Sequence, residues 1–156
     1  MHHLCKQNNR ALNIVVSILL LTVAFLQIRG AETSESDLKK EALAATLPWL
    51  QGIDHGSYAQ SYKDASQLFK RAITEEKWVQ ALTSVRKPLG KCLSRKVETQ
   101  SYQSEVPLPT GSLKGDFVIT QFDSSFENLN YARETVTFEK EVDGTWRSSG
   151  YFIKPR

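Results

Sequence analysis

The sequence predicts an α+β domain in which about three N-terminal helices pack on a four-stranded antiparallel sheet. Three observations lead there. Up to Leu89, apolar residues recur at the three-to-four-residue spacing of a helix face. From Cys92 onward the pattern changes to alternating runs divided by proline, glycine and an Asp143-Gly144 turn signal. Helices first and strands second place the helices over one face of the sheet.

A first helix is expected from Asp37, with Leu38, Ala42, Ala45 and Trp49 on one face and Leu43, Leu47, Leu50 and Ile53 beside them. Ser34 or Ser36 can cap it by accepting from a backbone N–H. Pro48 lacks a backbone donor and is expected to kink this helix or divide it near Thr46. Asp54-His55-Gly56 reads as its end, because Gly56 tolerates a left-handed conformation. Ser57 to Leu68 is read as a second helix presenting Tyr58, Tyr62 and Leu68 or Phe69. Thr74 caps a third, with Glu75 and Glu76 in the first turn, where the helix dipole favours negative charge. Its stripe is Trp78, Leu82, Val85 and Leu89, and Pro88 and Gly90 end it.

Strands are expected over 92–102, 116–126, 133–142 and 146–153, with 106–111 a loop by its prolines and glycine. Val118, Thr120, Phe122 and Phe126 share one face of the second strand, and Val136 and Phe138 alternate with Thr135, Thr137 and Glu139 on the third. Asp143-Gly144 predicts a two-residue primed turn with positive φ at both positions. Gly150 marks a bulge or a close approach. The expected core is Trp78, Leu82, Val85, Phe122, Val136, Phe138 and Trp146.

Residues 1–30 read as a secretory signal peptide. Lys6 and Arg10 give the cationic start, Ile14 to Leu26 runs apolar except for Ser17 and Thr22, and Gly30 and Ala31 supply small residues at the cut. This run of thirteen residues is shorter than the roughly twenty that span a bilayer. The alternative is an uncleaved inner-membrane anchor over residues 12–28. Residues 31–36 then form a flexible exit and 37–154 a single domain. The address implied is the periplasm or cell envelope.

The leader also explains the charge. The chain has 20 Lys and Arg against 17 Asp and Glu, and Lys6, Arg10 and Arg29 lie in the leader, which holds no acid. The remainder is balanced, so the net charge of +3 gives no argument for nucleic acid. Beyond the leader one cysteine and one histidine remain, Cys92 and His55. A lone cysteine cannot form an internal disulfide, and a buried, inert thiol is expected.

That scarcity bounds the chemistry. Nucleophilic catalysis would have to use His55, beside Asp54, Ser57 and Ser61, yet the Gly-x-Ser-x-Gly elbow is missing. One histidine and one cysteine cannot supply a zinc site. Glu139-x-Glu141-x-Asp143-Gly144 imitates half of a calcium loop, but the twelfth position is Gly150, so the alternation reads as the wet face of a strand. No metal and no cofactor are expected. Arg86, Lys87, Lys91, Arg95 and Lys96 crowd five cations into eleven residues. They read either as a solvated helix end and strand face or as an interaction patch for an anionic surface or an acidic envelope protein. Most aromatic residues are expected in the core. If helices across a curved sheet leave a cavity, Tyr62 and Tyr151 are the hydroxyls expected to face it as a ligand site.

The motifs Trp49-Leu50, Ile53-Asp54, Gly56, Tyr58, Trp78, the run Val85 to Gly90, Glu134-Thr135-Val136-Thr137 and Asp143-Gly144-x-Trp146 leading to Gly150-Tyr151-Phe152-Ile153 occur in that order. Together they resemble the bacterial exported proteins grouped as domain of unknown function 4019. The resemblance covers nearly all of residues 42–154, and it implies a cystatin-like, nuclear-transport-factor-2-like cone in a bacterial envelope, with no reaction. The function expected is a non-catalytic binding or protein-interaction module; the alternative is a ligand-binding or enzymatic cone with a pocket between helices and sheet.

Overall fold

A computed structural model describes residues 33–108 and 111–156 of the chain. The expected leader, its expected cleavage site at Gly30 and Ala31 and the alternative anchor over 12–28 lie outside the described residues. Four helices come first: α1 (Glu35–Asp54), α2 (Tyr58–Lys63), α3 (Gln67–Ala72) and α4 (Glu75–Val85), closed by a 3-10 turn at Lys87–Leu89. Four strands follow: β1 (Cys92–Leu108), β2 (Gly111–Phe126), β3 (Leu129–Lys140) and β4 (Trp146–Pro155). They form one antiparallel sheet in the order β1-β2-β3-β4. The α+β class therefore holds, with four helices where three were expected.

α1 begins at Glu35, inside the expected exit, because the Ser34 hydroxyl accepts from the Asp37 amide at 3.2 Å. It buries Leu38, Ala42, Thr46, Trp49, Leu50 and Ile53 and is not divided at Pro48. Pro48 and Ala44, whose carbonyl loses its partner to the proline, both lie on the exposed face, where water can replace the bond. The helix ends at Asp54, and Gly56 adopts φ 79° as expected.

The expected second helix splits into α2 and α3. Ala65 and Ser66 between them are fully buried, and the Ser66 amide donates to the Ser148 carbonyl of β4 at 2.9 Å. The Ser66 hydroxyl then caps α3 by accepting from the Phe69 amide. A bond to the sheet thus wins over helix continuation.

β1 and β2 run past the expected loop, pairing as far as Leu108↔Gly111. Pro107 is tolerated because β1 is an edge strand, where a missing donor breaks no second ladder. β3 joins β2 only from Asp116 onward, so the outer part of the β1–β2 hairpin is a two-stranded ribbon.

The β3–β4 connection departs from the two-residue turn. The Glu141 amide donates to the Thr145 carbonyl and the Gly144 amide to the Glu141 carbonyl, enclosing Val142, Asp143 and Gly144. Only Gly144 has positive φ, at 78°. A three-residue turn with its left-handed position on glycine avoids placing Asp143 there. The register slips beside Gly150, which pairs with Thr137 while Ser148 pairs with Phe138, so a bulge falls where expected.

Val118, Phe122, Val136, Phe138, Trp146 and Tyr151 meet Leu50, Ile53, Trp49, Trp78 and Leu82 in the core. At its centre Trp49 stacks on Trp78 with centroids 6.3 Å apart and meets Phe138 and Tyr151 edge-on at 5.9 Å. Both indoles are satisfied by Ser61: Trp49 donates to its carbonyl and Trp78 to its hydroxyl, each at 3.0 Å. Val85 is the core residue that fails, being 51% exposed. Its place is taken by Arg86, which lies four residues after Leu82 and eight after Trp78, on the same helix face.

Candidate functional site

That substitution of a cation into an apolar stripe builds the most distinctive polar feature of the fold. Arg86 is 2% exposed; its guanidinium lies 4.4 Å from the Phe126 ring centroid and donates to Asp54 Oδ1 at 2.9 Å and the Gly90 carbonyl at 2.7 Å. Asp54 comes from the last turn of α1. Its other oxygen accepts from Arg95 Nη1 of β1 at 2.7 Å. Arg95 then reaches Glu134 of β3, donating from Nε at 2.6 Å and from Nη2 at 3.1 Å. Glu134 is wholly buried, and it also accepts from Ser124 Oγ at 2.5 Å and from Tyr151 Oη at 2.7 Å. Two acids and two arginines are thus threaded across α1, the C-cap of α4, β1 and β3.

The electrostatics follow from this pairing. Burial alone would push the Asp54 carboxyl up, but the bonds from Arg95 and Arg86 outweigh it and hold it below its ordinary value. Burial works against the Arg95 cation, and the bonds to Asp54 and Glu134 more than offset it, so its pKa rises. Burial first, and then the charge and bond of Glu134, push Tyr151 far above the ordinary phenol range. Tyr151 is therefore a fixed donor, not a group poised to release its proton.

Two expectations change here. Arg86 and Arg95 do not belong to an exposed patch: the first is buried and the second is committed to two carboxylates. Tyr62 and Tyr151 do not face a common cavity either. The Tyr62 hydroxyl donates to the Ile73 carbonyl at 3.0 Å, and the ring packs on Phe69. Tyr151 points at Glu134. The rings of Phe69 and Trp78 lie in turn between the two tyrosines, Tyr62 against Phe69, Phe69 against Trp78 and Trp78 against Tyr151.

Lys87, Lys91 and Lys96 remain exposed. Lys87 and Lys91 border a cleft of about 460 Å³ over the Asp54–Arg86 pair, which His55, Tyr58, Thr83 and Glu127 also line. Glu127 is engaged with the backbone, accepting from the Lys91 amide at 2.8 Å. Gly90, at φ 76°, keeps this corner open, since a Cβ there would fall 2.5 Å from Glu127 Oε2. Lys96 lies opposite Asp123 in the β1–β2 register, away from the cleft. Cys92 is half-buried rather than buried, with its thiol pushed up mainly by desolvation. Of the calcium-like acids, Glu141 and Asp143 both accept from Arg147, and Glu141 also takes the Gln67 amide.

The fold and this site define a small α+β domain, four helices on an antiparallel meander, tied together by a buried ionic network. The chain belongs to the family described as protein of unknown function (DUF4019), whose model matches residues 45–151. No curated protein matches it. The matched span contains Asp54, Arg86, Arg95, Glu134 and Tyr151, every long side chain of the network.

Proposed function

We propose that this chain is an exported, non-catalytic binding module of the bacterial envelope, and that the cleft over Asp54 and Arg86 is where it meets an acidic surface of another envelope protein. The observation that carries the reading is the division of labour among its cations. Arg86 and Arg95 are consumed internally, whereas Lys87 and Lys91 stand exposed at the border of the cleft. Exposed lysines beside a rigid floor favour a negatively charged partner through steering and complementarity. The absence of a catalytic role rests on how the polar groups are used. Asp54 spends its bonding capacity on Arg86 and Arg95, Glu134 on Arg95, Ser124 and Tyr151, and the helix–sheet interface is packed with aromatic rings. We read the fold as the cystatin-like, nuclear-transport-factor-2-like cone with its interior filled; helices preceding a bulged antiparallel meander support that reading.

The experiment is affinity capture from envelope extract with the full chain and with Lys87→Glu/Lys91→Glu. The expected outcome is a stoichiometric protein partner that is lost on charge reversal, retained with Lys96→Glu and weakened by salt. Retention of the partner by the double variant would overturn the assignment of the cleft. Export is tested separately, by mass spectrometry of the mature N-terminus: cleavage after Gly30 or Ala31 supports it, and an intact Met1 in a membrane fraction supports the anchor.

A further inference from the structure

A second cleft, of about 400 Å³, lies at the base of the β1–β2 ribbon, between α3 and the β3–β4 turn. Its apolar walls are Leu68, Leu113, Phe117 and Val142. Phe117 is 3% exposed yet lies outside the main core, and its ring sits against Gly115, where an added Cβ would come within 3.2 Å of it. The cleft is thus walled by a ring that the glycine permits to lie flat. Glu139, paired with Phe117 across the β2–β3 ladder, also lines it and is only 9% exposed.

Among the described residues Glu139 makes no salt bridge: Arg71 and Lys114 border the cleft without pairing with it, and the two cations nearest along its own hairpin are taken. Lys140 pairs with Glu41 at 2.8 Å, and Arg147 with Glu141 and Asp143 at 2.6 and 2.8 Å. Burial pushes its carboxyl up; the Ser66 hydroxyl and Leu68 amide offset this only in part, Glu141 adds repulsion, and Arg71 acts more weakly still. The other acids of the cleft are engaged, Asp116 by the Tyr102 hydroxyl and Glu141 and Asp143 by Arg147. A buried acid that makes no salt bridge, beside the apolar walls of a cleft of ligand size, is a half-made site.

We infer that this cleft binds a small amphipathic amine, whose ammonium meets the Glu139 carboxylate while its apolar body lies against Leu113 and Phe117. The ligand supplies the ion pair that Glu139 lacks, and its apolar body takes the cleft volume that the Phe117 ring walls. The site is separate from the lysine-bordered cleft and independent of the function proposed for it. Arg71 and Lys114 also border this cleft. They are the internal competitors for Glu139.

The test uses 2-phenylethylammonium, with 2-phenylethanol as its uncharged counterpart, and follows the Glu139 carboxyl and the Phe117 and Glu139 amides by NMR. The expected result is saturable shifts at those positions with the ammonium and a lowered Glu139 titration midpoint. The alcohol should leave that midpoint in place. Glu139→Gln should abolish saturation, and so should Leu113→Arg, which brings a competing cation to a half-exposed ribbon position. Equal shifts with the alcohol, or no saturable shift, would overturn the inference. So would an ordinary Glu139 midpoint in the free protein that rises in Arg71→Ala or Lys114→Ala, because the site would then be closed by its own cation.

Discussion

Replacing Glu134 by glutamine tests the central network with almost no change of shape. The carboxylate accepts four bonds, from Arg95 Nε and Nη2, Ser124 Oγ and Tyr151 Oη, and none of its surface is exposed. Glutamine offers one carbonyl oxygen and one NH2 group. Whichever way it turns, the NH2 faces a guanidinium N–H that can only donate. The serine and tyrosine hydroxyls can rotate to accept; Arg95 cannot. Glu134→Gln therefore leaves a buried arginine half-paired, and removing one partner of a buried pair costs about 3–5 kcal/mol. We place this change near the lower figure, because Asp54 still holds Arg95. For a domain of this size that is a fall in Tm of roughly 10 °C. Urea unfolding at pH 7, followed by tryptophan fluorescence, measures it, since Trp49, Trp78 and Trp146 are all buried. An unchanged urea slope assigns the loss to stability and not to a changed unfolded state. Arg95→Met combined with Glu134→Leu should cost less than the sum of the single changes by about 1–3 kcal/mol, as coupled neighbours do. A cost for Glu134→Gln under about 1 kcal/mol, or strict additivity of the pair, would refute the view that the network is a single unit.

Trp78→Ala should cost about 3–5 kcal/mol in the same assay, because it empties the aromatic centre and leaves the Ser61 hydroxyl without its indole partner. Val85→Ala should change stability by less than about 0.5 kcal/mol, since Val85 is largely solvated; a large loss would mean that it packs in the core after all. Gly144→Ala should destabilise by about 1–2 kcal/mol, as its φ of 78° is strained for any side chain. Asp54 has a depressed carboxyl, so its contribution is complete above its ordinary value near 4 and is lost as pH falls through the depressed one; acid titration of urea midpoints should show that loss, reduced in Asp54→Asn. Glu139 has the opposite sign: its raised carboxyl favours the protonated fold, so stability falls as pH rises. Glu139→Gln should therefore be at least as stable as the parent at pH 7, with the difference vanishing below about pH 4.

Much of the architecture was legible because period and punctuation agree along the chain. The alternation of β2 gave its inward face, and Ser34, Thr74, Gly56 and Gly90 marked helix ends where the structure has them. Two of the misses share a cause, which is tertiary contact overriding a local signal, and the third is a choice between two local turns. Ser66 stops a helix because its amide is taken by β4. Pro107 sits in a strand because that strand is an edge. Asp143 avoids positive φ because a three-residue turn offers Gly144 the position instead. The partners of Ser66 and Pro107 cannot be read from the neighbouring sequence.

The network is the more instructive miss, because its signal lies in the position of each charge along its element and not in the charge itself. Glu134 stands at an inward place in β3, in step with Ala132, Val136 and Phe138, all buried. Arg86 continues the face of Trp78 and Leu82 by one more turn. Asp54 follows Ile53, a fully buried residue at the end of α1. A single charge at an inward position reads as an error of register or as a solvated end. Two acids and two arginines, each out of place on a different element, balance one another, and burial of any one requires the rest. The run from Arg86 to Lys96 therefore divides by period rather than by composition. Positions in phase with a core face turn inward and hold the domain together, and the lysines out of phase remain available to a partner. The double reversal at Lys87 and Lys91 should accordingly weaken binding without unfolding the domain, whereas reversal at Arg86 or Arg95 should unfold it and thus say nothing about the partner.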